Sequence, residues 1–246
     1  MHRSRISAAR LTTVVGSVCA VLTACTGAIS AAGHAAPPTA IPAAAVDETV
    51  TAPGTEETTV LAGGCFWGVQ GVFEHVRGVR RAVAGYAGGD AQSAHYDDVS
   101  GGDTGHAESV QITYDPSQIT YGRLLQIYFS VAHDPTEVDR QGPDVGTQYR
   151  SAIFPQNVQQ KQIATAYIAQ LDQAGVFGAP IATRVESVNS FFPAEGYHQD
   201  YMNAHPDDGY IATNDLPKLD DLKRRYPASY REQPILTRAD GDAGDG

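Results

Sequence analysis

The residues best suited to catalyse a reaction lie in the stretch Gly64-Cys65-Phe66-Trp67-Gly68. Cys65 is the only cysteine after position 25, and Trp67 is the only tryptophan. A β-rich run precedes this stretch and a helical pattern follows it, so Cys65 is expected at the N-terminus of a helix. Unpaired backbone N–H groups and the positive end of the helix dipole favour a thiolate there, which makes Cys65 a candidate nucleophile. The alternative is a buried structural cysteine among core aromatics.

A nucleophilic cysteine needs a proton donor or acceptor and groups that hold a substrate, and two long loops supply candidates. Glu108 begins an alternating strand, and apolar neighbours would raise its pKa and make it a proton donor. The alternative is a solvent-facing glutamate on an edge strand. Tyr96 lies in the preceding loop, and Asp144 and Tyr149 lie at a later junction between loop and strand. The other interpretation of Tyr149 is core packing.

Several kinds of site and partner are disfavoured by composition and spacing. No two histidines are paired as in His-x-x-x-His, and Cys65 stands apart from them, so we predict no metal site. His198 fits a structural role better than a catalytic one. The net charge of −11 argues against a nucleic-acid partner. Three cysteines are too few for a disulfide framework.

The N-terminus has the pattern of an export signal. Residues 1–24 combine a basic start with a short apolar run, which predicts a signal peptide. Cys25 follows Leu22-Thr23-Ala24, a tetrapeptide that resembles the bacterial lipobox and implies lipidation of Cys25 and a membrane-anchored, extracytoplasmic protein. The alternative is an ordinary cleaved signal and a secreted protein. Cys19 would be removed in either case.

The remaining chain divides by composition into three parts. Residues 25–57 are rich in Ala, Pro and Thr and predict a flexible linker, 58–234 a single domain, and 235–246 a disordered acidic tail. Strands and helices mix in the domain, so we predict an α/β fold (α+β). Apolar periodicity and turn signals give the expected elements. The predicted strands are 58–62, 79–86, 107–114, 149–154 and 183–188, and the predicted helices are 66–76, 121–132, 157–174, 194–202 and 216–225.

Five blocks, in one order, resemble the peptide methionine sulfoxide reductase A family. The first is Gly64-Cys65-Phe66-Trp67-Gly68, and the resemblance covers residues 58–232. It implies a ferredoxin-like, two-layer sandwich with a central mixed β-sheet flanked by helices. The other four blocks are Gly85-Tyr86-Ala87-Gly88-Gly89, Gly102-Asp103-Thr104-Gly105-His106-Ala107-Glu108, Gly146-Thr147-Gln148-Tyr149-Arg150-Ser151 and Ala194-Glu195-Gly196-Tyr197-His198-Gln199.

The resemblance also implies an activity, the reduction of the S epimer of methionine sulfoxide, free or in a protein. Cys65 matches the nucleophile, which would end as a sulfenic acid. Glu108 matches the acid that protonates the sulfoxide oxygen. The remaining matches are Tyr96 and Tyr149 as hydroxyls that bind this oxygen, Asp144 as a polar neighbour, and Phe66 and Trp67 as the pocket for the S-methyl group.

The chain departs from many family members because no cysteine follows Cys65. We therefore expect an external thiol to recycle Cys65, either a thioredoxin-like protein or a small dithiol. We expect no bound cofactor. The expected substrates are oxidised extracytoplasmic proteins or free methionine sulfoxide, and we expect a monomer. Two other functions remain open at this point. One is a hydrolase or acyltransferase that pairs Cys65 with His106 or His198, and the other is a lipoprotein that binds oxidised methionine without catalysis.

Overall fold

A computed structural model describes residues 41–50, 54–187 and 190–237. Signal residues 1–24 and Cys25 lie outside the described residues. The centre of the domain is a six-stranded sheet whose neighbouring strands are antiparallel except for one parallel pair. The strands are β1 (Glu57–Gly63), β2 (Val79–Ala87), β3 (Ala107–Tyr114), β6 (Ser151–Phe154), β7 (Arg184–Val185) and β8 (Phe191–Pro193) in the spatial order β7-β6-β1-β3-β2-β8, and a separate hairpin pairs β4 (Arg140–Gln141) with β5 (Asp144–Val145).

Helices flank this sheet, so the predicted α/β class with a central mixed sheet is confirmed. The first helix, α1, packs against β1, β2 and β3. The helices are α1 (Phe66–Glu74), α2 (Tyr96–Val99), α3 (Tyr121–Ile127), α4 (Val158–Gln173), α5 (Tyr201–Ala204) and α6 (Leu216–Arg225). No helix among the described residues is long and apolar enough to cross a membrane.

Local sequence signals explain where these elements begin. Successive strand residues face opposite sides of the sheet, so Leu61 joins the large core under the helices while Val60 and Ala62 join a smaller buried cluster. The Asn157 side chain accepts a hydrogen bond from the Gln160 N–H at 2.8 Å and caps α4. A proline in the first turn of α6 and basic residues in its last turn suit its two ends.

Several predicted elements are shorter or more broken than expected. The helix predicted over 121–132 changes to a π-helical turn at Tyr128–Ala132. The strand predicted over 149–154 begins at Ser151, because Gly146, with a φ of +146° that favours glycine, leads into a 3₁₀ turn at Thr147–Tyr149. The segment 194–202 is a 3₁₀ turn followed by α5, since Asp200 adopts a left-handed φ of 57° between them. The sequence did not predict α2 or β8.

The structure also extends the domain beyond both predicted ends. At the C-terminal end, Thr237 donates to Ala82 O at 2.6 Å through Oγ1, so the first residues of the predicted tail are held. Residues 41–50, assigned by composition to the linker, lie against α3 and α4. Gln126 Nε2 donates to Ile41 O at 2.5 Å, and Tyr167 donates to Pro42 O at 2.7 Å.

Asp47 ties this N-terminal segment to the start of α3. Its carboxylate accepts hydrogen bonds from Gly122 N at 2.8 Å and from Thr120 Oγ1 at 2.5 Å. We expect Asp47→Ala to lower the free energy of unfolding by about 1 kcal/mol, the usual effect of removing a helix cap. Urea unfolding measures this change. The exposed Glu56 provides the control, since Glu56→Ala should leave the midpoint unchanged, and equal midpoints for both variants would contradict the capping role.

Candidate active site

Cys65 lies at the junction that the sequence predicts, directly between β1 and α1. It is the N-cap residue of α1, with φ −51° and ψ 124°. Gly64 turns the chain with a φ of +86°, and a Cβ at this position would lie 2.5 Å from the Gln141 side chain. A glycine is therefore required both by the backbone conformation and by the close approach of the β4–β5 hairpin.

A cavity of about 190 Å³ opens at the Cys65 side chain. Its lining contains all seven catalytic and substrate-binding residues that the sequence predicts, and one residue that it does not, Tyr210. The lining residues are Cys65, Phe66, Trp67, Tyr96, Glu108, Asp144, Tyr149 and Tyr210.

Glu108 is a buried carboxyl group that is held by the residue following the cysteine. The Phe66 N–H donates to Glu108 Oε2 at 3.0 Å, and Glu108 is only 3% exposed. Burial raises the pKa of Glu108 to about 8, although the Phe66 N–H opposes this shift. The carboxyl therefore keeps its proton at neutral pH, and the alternative of a solvent-facing glutamate does not hold.

The sequence predicts a thiolate at Cys65, but the surroundings of Cys65 favour the protonated thiol in the free protein. Burial raises the pKa of the thiol well above its ordinary value, and the negative charges of Glu108, once it ionises near pH 8, and of Asp215 raise it further. The Trp67 N–H and Lys218 act in the opposite direction and are outweighed. Desolvation therefore dominates the helix-dipole effect, so the resting sulfur carries a proton.

Three tyrosines present hydroxyl groups to the same cavity. Burial raises the pKa values of Tyr96, Tyr149 and Tyr210, so all three remain neutral hydrogen-bond donors. Tyr210 donates to Asp144 Oδ2 at 2.5 Å. Tyr210 lies 66 residues after Asp144 in the chain, and no local pattern around it signals a role at the site.

Glu195 and Arg150 belong to two of the matching motifs and hold the lining residues in place. Glu195 accepts hydrogen bonds from the Tyr96 N–H at 3.0 Å and from the Tyr86 hydroxyl at 2.8 Å, so it fixes the start of α2. Arg150 donates to Thr147 O and to Gly105 O, both at 3.0 Å. It thereby joins the loop that carries Tyr149 to the loop that leads into β3. These residues position the site without lining it.

Trp67 is fixed by neighbouring rings. Its indole stacks on Tyr201 with ring centroids 3.8 Å apart, and its Nε1–H donates to His198 Nδ1 at 3.2 Å. His198 is therefore a structural partner of the indole, as its sequence context suggests. Both ring nitrogens of His106 are engaged by backbone groups, at Gly89 N and Asp90 O. Neither histidine lines the cavity, so the geometry does not support a Cys–His hydrolase.

The comparison with protein families decides between the remaining alternatives. Residues 57–230 match the family described as peptide methionine sulfoxide reductase. The chain belongs to this family. It is an oxidoreductase that reduces methionine sulfoxide, the chemistry of protein repair. Among the described residues no group of His, Cys, Asp and Glu could hold a metal ion.

Named relatives and solved structures agree with this membership. The chain is 60% identical to a "Peptide methionine sulfoxide reductase MsrA 2" from Mesorhizobium japonicum, over 75% of this chain and 94% of the relative. The protein of the same name from Synechocystis sp. is 52% identical, over 74% and 85%. The crystal structure of reduced Mxr1 from Saccharomyces cerevisiae superposes with a TM-score of 0.57 at 32% identity, covering 68% of this chain and 93% of that one. Methionine sulfoxide reductase A of Corynebacterium diphtheriae gives 0.54 at 34%, covering 67% and 82%.

The Asp144–Tyr210 contact yields a prediction about the reductase. In Tyr210→Phe, the Asp144 carboxylate loses a donor at the rim of the cavity, and an unpaired polar group costs about 1–3 kcal/mol. We expect kcat/KM for methionine sulfoxide to fall about tenfold, which corresponds to ~1.4 kcal/mol. Steady-state kinetics measures the change. Tyr230→Phe removes a hydroxyl from a residue that does not line the cavity and should leave kcat/KM unchanged, and equal values for Tyr210→Phe and wild type would contradict the prediction.

Proposed function

We propose that the protein reduces the S epimer of methionine sulfoxide, free or protein-bound, with Cys65 as nucleophile and Glu108 as proton donor. The observation that carries the proposal is the position of Glu108, a buried carboxyl held by the N–H of Phe66, the residue that follows Cys65. A sulfoxide oxygen leaves poorly until it is protonated. A carboxyl with a pKa of about 8 still holds a proton to give at neutral pH.

The reaction begins when the sulfoxide oxygen enters the cavity beside Glu108. Glu108 donates its proton to this oxygen as the Cys65 sulfur attacks the substrate sulfur, and the thiol proton passes to the Glu108 carboxylate. An S–S bond forms in this step. It breaks together with the S–O bond of the substrate as the hydroxyl group transfers to the Cys65 sulfur, which releases the thioether. In net terms a thiol and a sulfoxide become a sulfenic acid and a thioether, and two electrons pass from Cys65 to the substrate sulfur.

The phenols of Tyr96 and Tyr149 bind the same oxygen. Both hydroxyl groups line the cavity and remain neutral, so they donate hydrogen bonds to the negative charge that develops on oxygen. Asp144, held by Tyr210, lies at the edge of this donor set. Preformed donors need no reorganisation during the reaction, which lowers the barrier to S–O cleavage.

Phe66 and Trp67 form the pocket for the substrate methyl group. Phe66 is 1% exposed, and Trp67 is fixed by Tyr201 and His198. A methyl group buried against these rings leaves the sulfoxide oxygen directed to Glu108 in only one configuration at sulfur. We therefore assign the S epimer, as the family resemblance implies.

Regeneration of Cys65 requires a reductant from outside the chain. Cys65 is the only cysteine among the described residues. A thiol attacks the sulfenic acid and releases water, and a second thiol then cleaves the mixed disulfide. We propose a thioredoxin-like protein or a small dithiol as this donor, and no bound cofactor.

The N-terminal pattern supports an extracytoplasmic location. We propose that Cys25 is lipidated and anchors a monomeric enzyme to the bacterial membrane, where it repairs oxidised proteins. A lipid would add mass to the N-terminal peptide and cause partition into detergent. A protein that shows neither change is the secreted form instead.

Epimer-resolved turnover tests the proposed activity. The protein is incubated with dithiothreitol and either the S or the R epimer of methionine sulfoxide, and methionine is quantified. We expect the S epimer to be consumed and the R epimer to persist. Consumption of R at a similar rate would overturn the assignment of the methyl pocket, and no turnover of either epimer would overturn the proposed activity.

A further inference from the structure

An ion pair between a buried aspartate and a partly buried lysine packs against the active-site helix. Asp215 is fully buried at the end of the π-helical turn Ile211–Asp215, directly before α6. Its Oδ1 lies 3.0 Å from Lys218 Nζ, and its Oδ2 has no hydrogen-bond partner within the described part of the chain. A buried carboxylate with an unpaired oxygen is destabilising, so this pair calls for an explanation other than stability.

The Asp215–Lys218 pair packs against the first turn of α1, which follows the nucleophile. Gly68 is the third residue of α1, whose N-cap is Cys65. A Cβ at Gly68 would lie 2.0 Å from Asp215 Oδ1 and 2.8 Å from Lys218 Nζ. Both charged groups therefore pack on the backbone of this first turn. The positive end of α1 and Lys218 together offset the charge of Asp215.

These two groups act on Cys65 in opposite directions. Burial raises the pKa of Cys65, Asp215 adds to this shift, and Lys218 opposes it. His133, which faces Lys218, stays neutral because burial lowers its pKa to about 3. The other titratable groups around Cys65 are Glu108 from β3, Asp144 from β5, Tyr96 from α2, Tyr149 from the 3₁₀ turn and Tyr210 before the π-helical turn.

We propose that Lys218 and Asp215 are positioning residues of the reductase, which together set how readily the Cys65 sulfur releases its proton. The Lys218 ammonium favours the anionic sulfur that forms as Cys65 attacks. The Asp215 carboxylate holds this ammonium against Gly68 and limits its effect. The role of the pair in catalysis rests on the proposed function of Cys65, but its effect on the thiol is independent of any sulfoxide.

The pH dependence of Cys65 alkylation tests the proposal in the full chain. Iodoacetamide reacts with the thiolate, and mass spectrometry of the peptide that contains Cys65 follows the rate at each pH. We expect Lys218→Met to raise the apparent pKa of Cys65 and Asp215→Asn to lower it, each by about 1 pH unit. Lys218→Arg should stay near wild type, and the double variant Asp215→Asn/Lys218→Met should return towards it.

Lys223→Met is the matched control because Lys223 lies on the same helix, is 58% exposed and pairs with Glu232. It should not move the alkylation profile. Opposite shifts for the two single variants support the proposal, and no shift or shifts in the same direction would overturn it. If Lys218→Met fails to fold, Asp215→Asn decides alone, since an unchanged profile for that variant contradicts the role. The assay contains no sulfoxide, so its outcome is separate from that of the proposed activity.

Discussion

Cys65→Ser should abolish the formation of methionine from methionine sulfoxide. A serine hydroxyl is a far weaker nucleophile than a thiol at this position, and it cannot form a sulfenic acid. We expect the turnover rate to fall by on the order of 10³-fold or more, as for other enzymes that lose their nucleophile. Assays of methionine release with dithiothreitol as reductant measure this loss.

The same variant separates catalysis from binding. Serine is close to cysteine in volume, so the fold and the methyl pocket should persist, and the unfolding temperature should stay near that of the wild type. A sulfoxide peptide should therefore still bind to Cys65→Ser. Turnover that survives the substitution would contradict the nucleophile assignment, and a wild-type protein that binds such peptides without turnover would be a binding protein instead.

Glu108→Gln should slow the reductive step by about 10²–10⁴-fold, the usual contribution of a positioned general acid. The amide keeps the shape of the side chain and can still accept from the Phe66 N–H, but it has no proton of suitable acidity to give. Single-turnover kinetics measures this step. Glu74→Gln is the matched control, because Glu74 is a fully buried glutamate with a pKa raised to about 9 that does not line the cavity. Near wild-type rates for Glu108→Gln would contradict the acid role.

The difference in stability between Glu108→Gln and the wild type should depend on pH. The pKa of Glu108 is raised from 4.5 to about 8 in the folded protein, so the folded state holds a proton that the unfolded state releases. The contribution of Glu108 to stability is present below pH 4.5 and is lost as pH rises through 8. Glu108→Gln lacks this loss. It should therefore be more stable relative to wild type at pH 9 than at pH 5, measured by urea unfolding at both values.

Local sequence patterns predicted the elements that hold the reacting residues. The strand over 107–114 and the helix over 216–225 have the predicted bounds, because alternation and helical periodicity are decided by neighbours in the chain. The turn that presents Cys65 was predicted for the same reason. The ordered motifs contain Phe66, Trp67, Glu108 and Tyr149, and the two long loops supplied Tyr96 and Asp144, so Tyr210 is the one lining residue that was not predicted.

The features that the sequence did not predict depend on contacts between distant parts of the chain. Residues 41–50 contain few large apolar side chains, and their backbone carbonyls pair with Gln126, Tyr167 and Gln170, which composition cannot reveal. Tyr210 and Asp215 lie near α1 because the π-helical turn Ile211–Asp215 and α6 both pack against that helix. The protonated state of Cys65 was not predicted, because the burial of its side chain depends on loops that are distant from it in the sequence.

The most direct test of the central claim is a single-turnover reaction without reductant. Reduced protein, with Cys19 and Cys25 replaced by serine, is mixed with excess S epimer of methionine sulfoxide and a probe for sulfenic acid. The account predicts one methionine per protein molecule and a probe adduct on Cys65, because no second cysteine can regenerate the thiol. Continued methionine release without reductant, or methionine release without an adduct on Cys65, would contradict it.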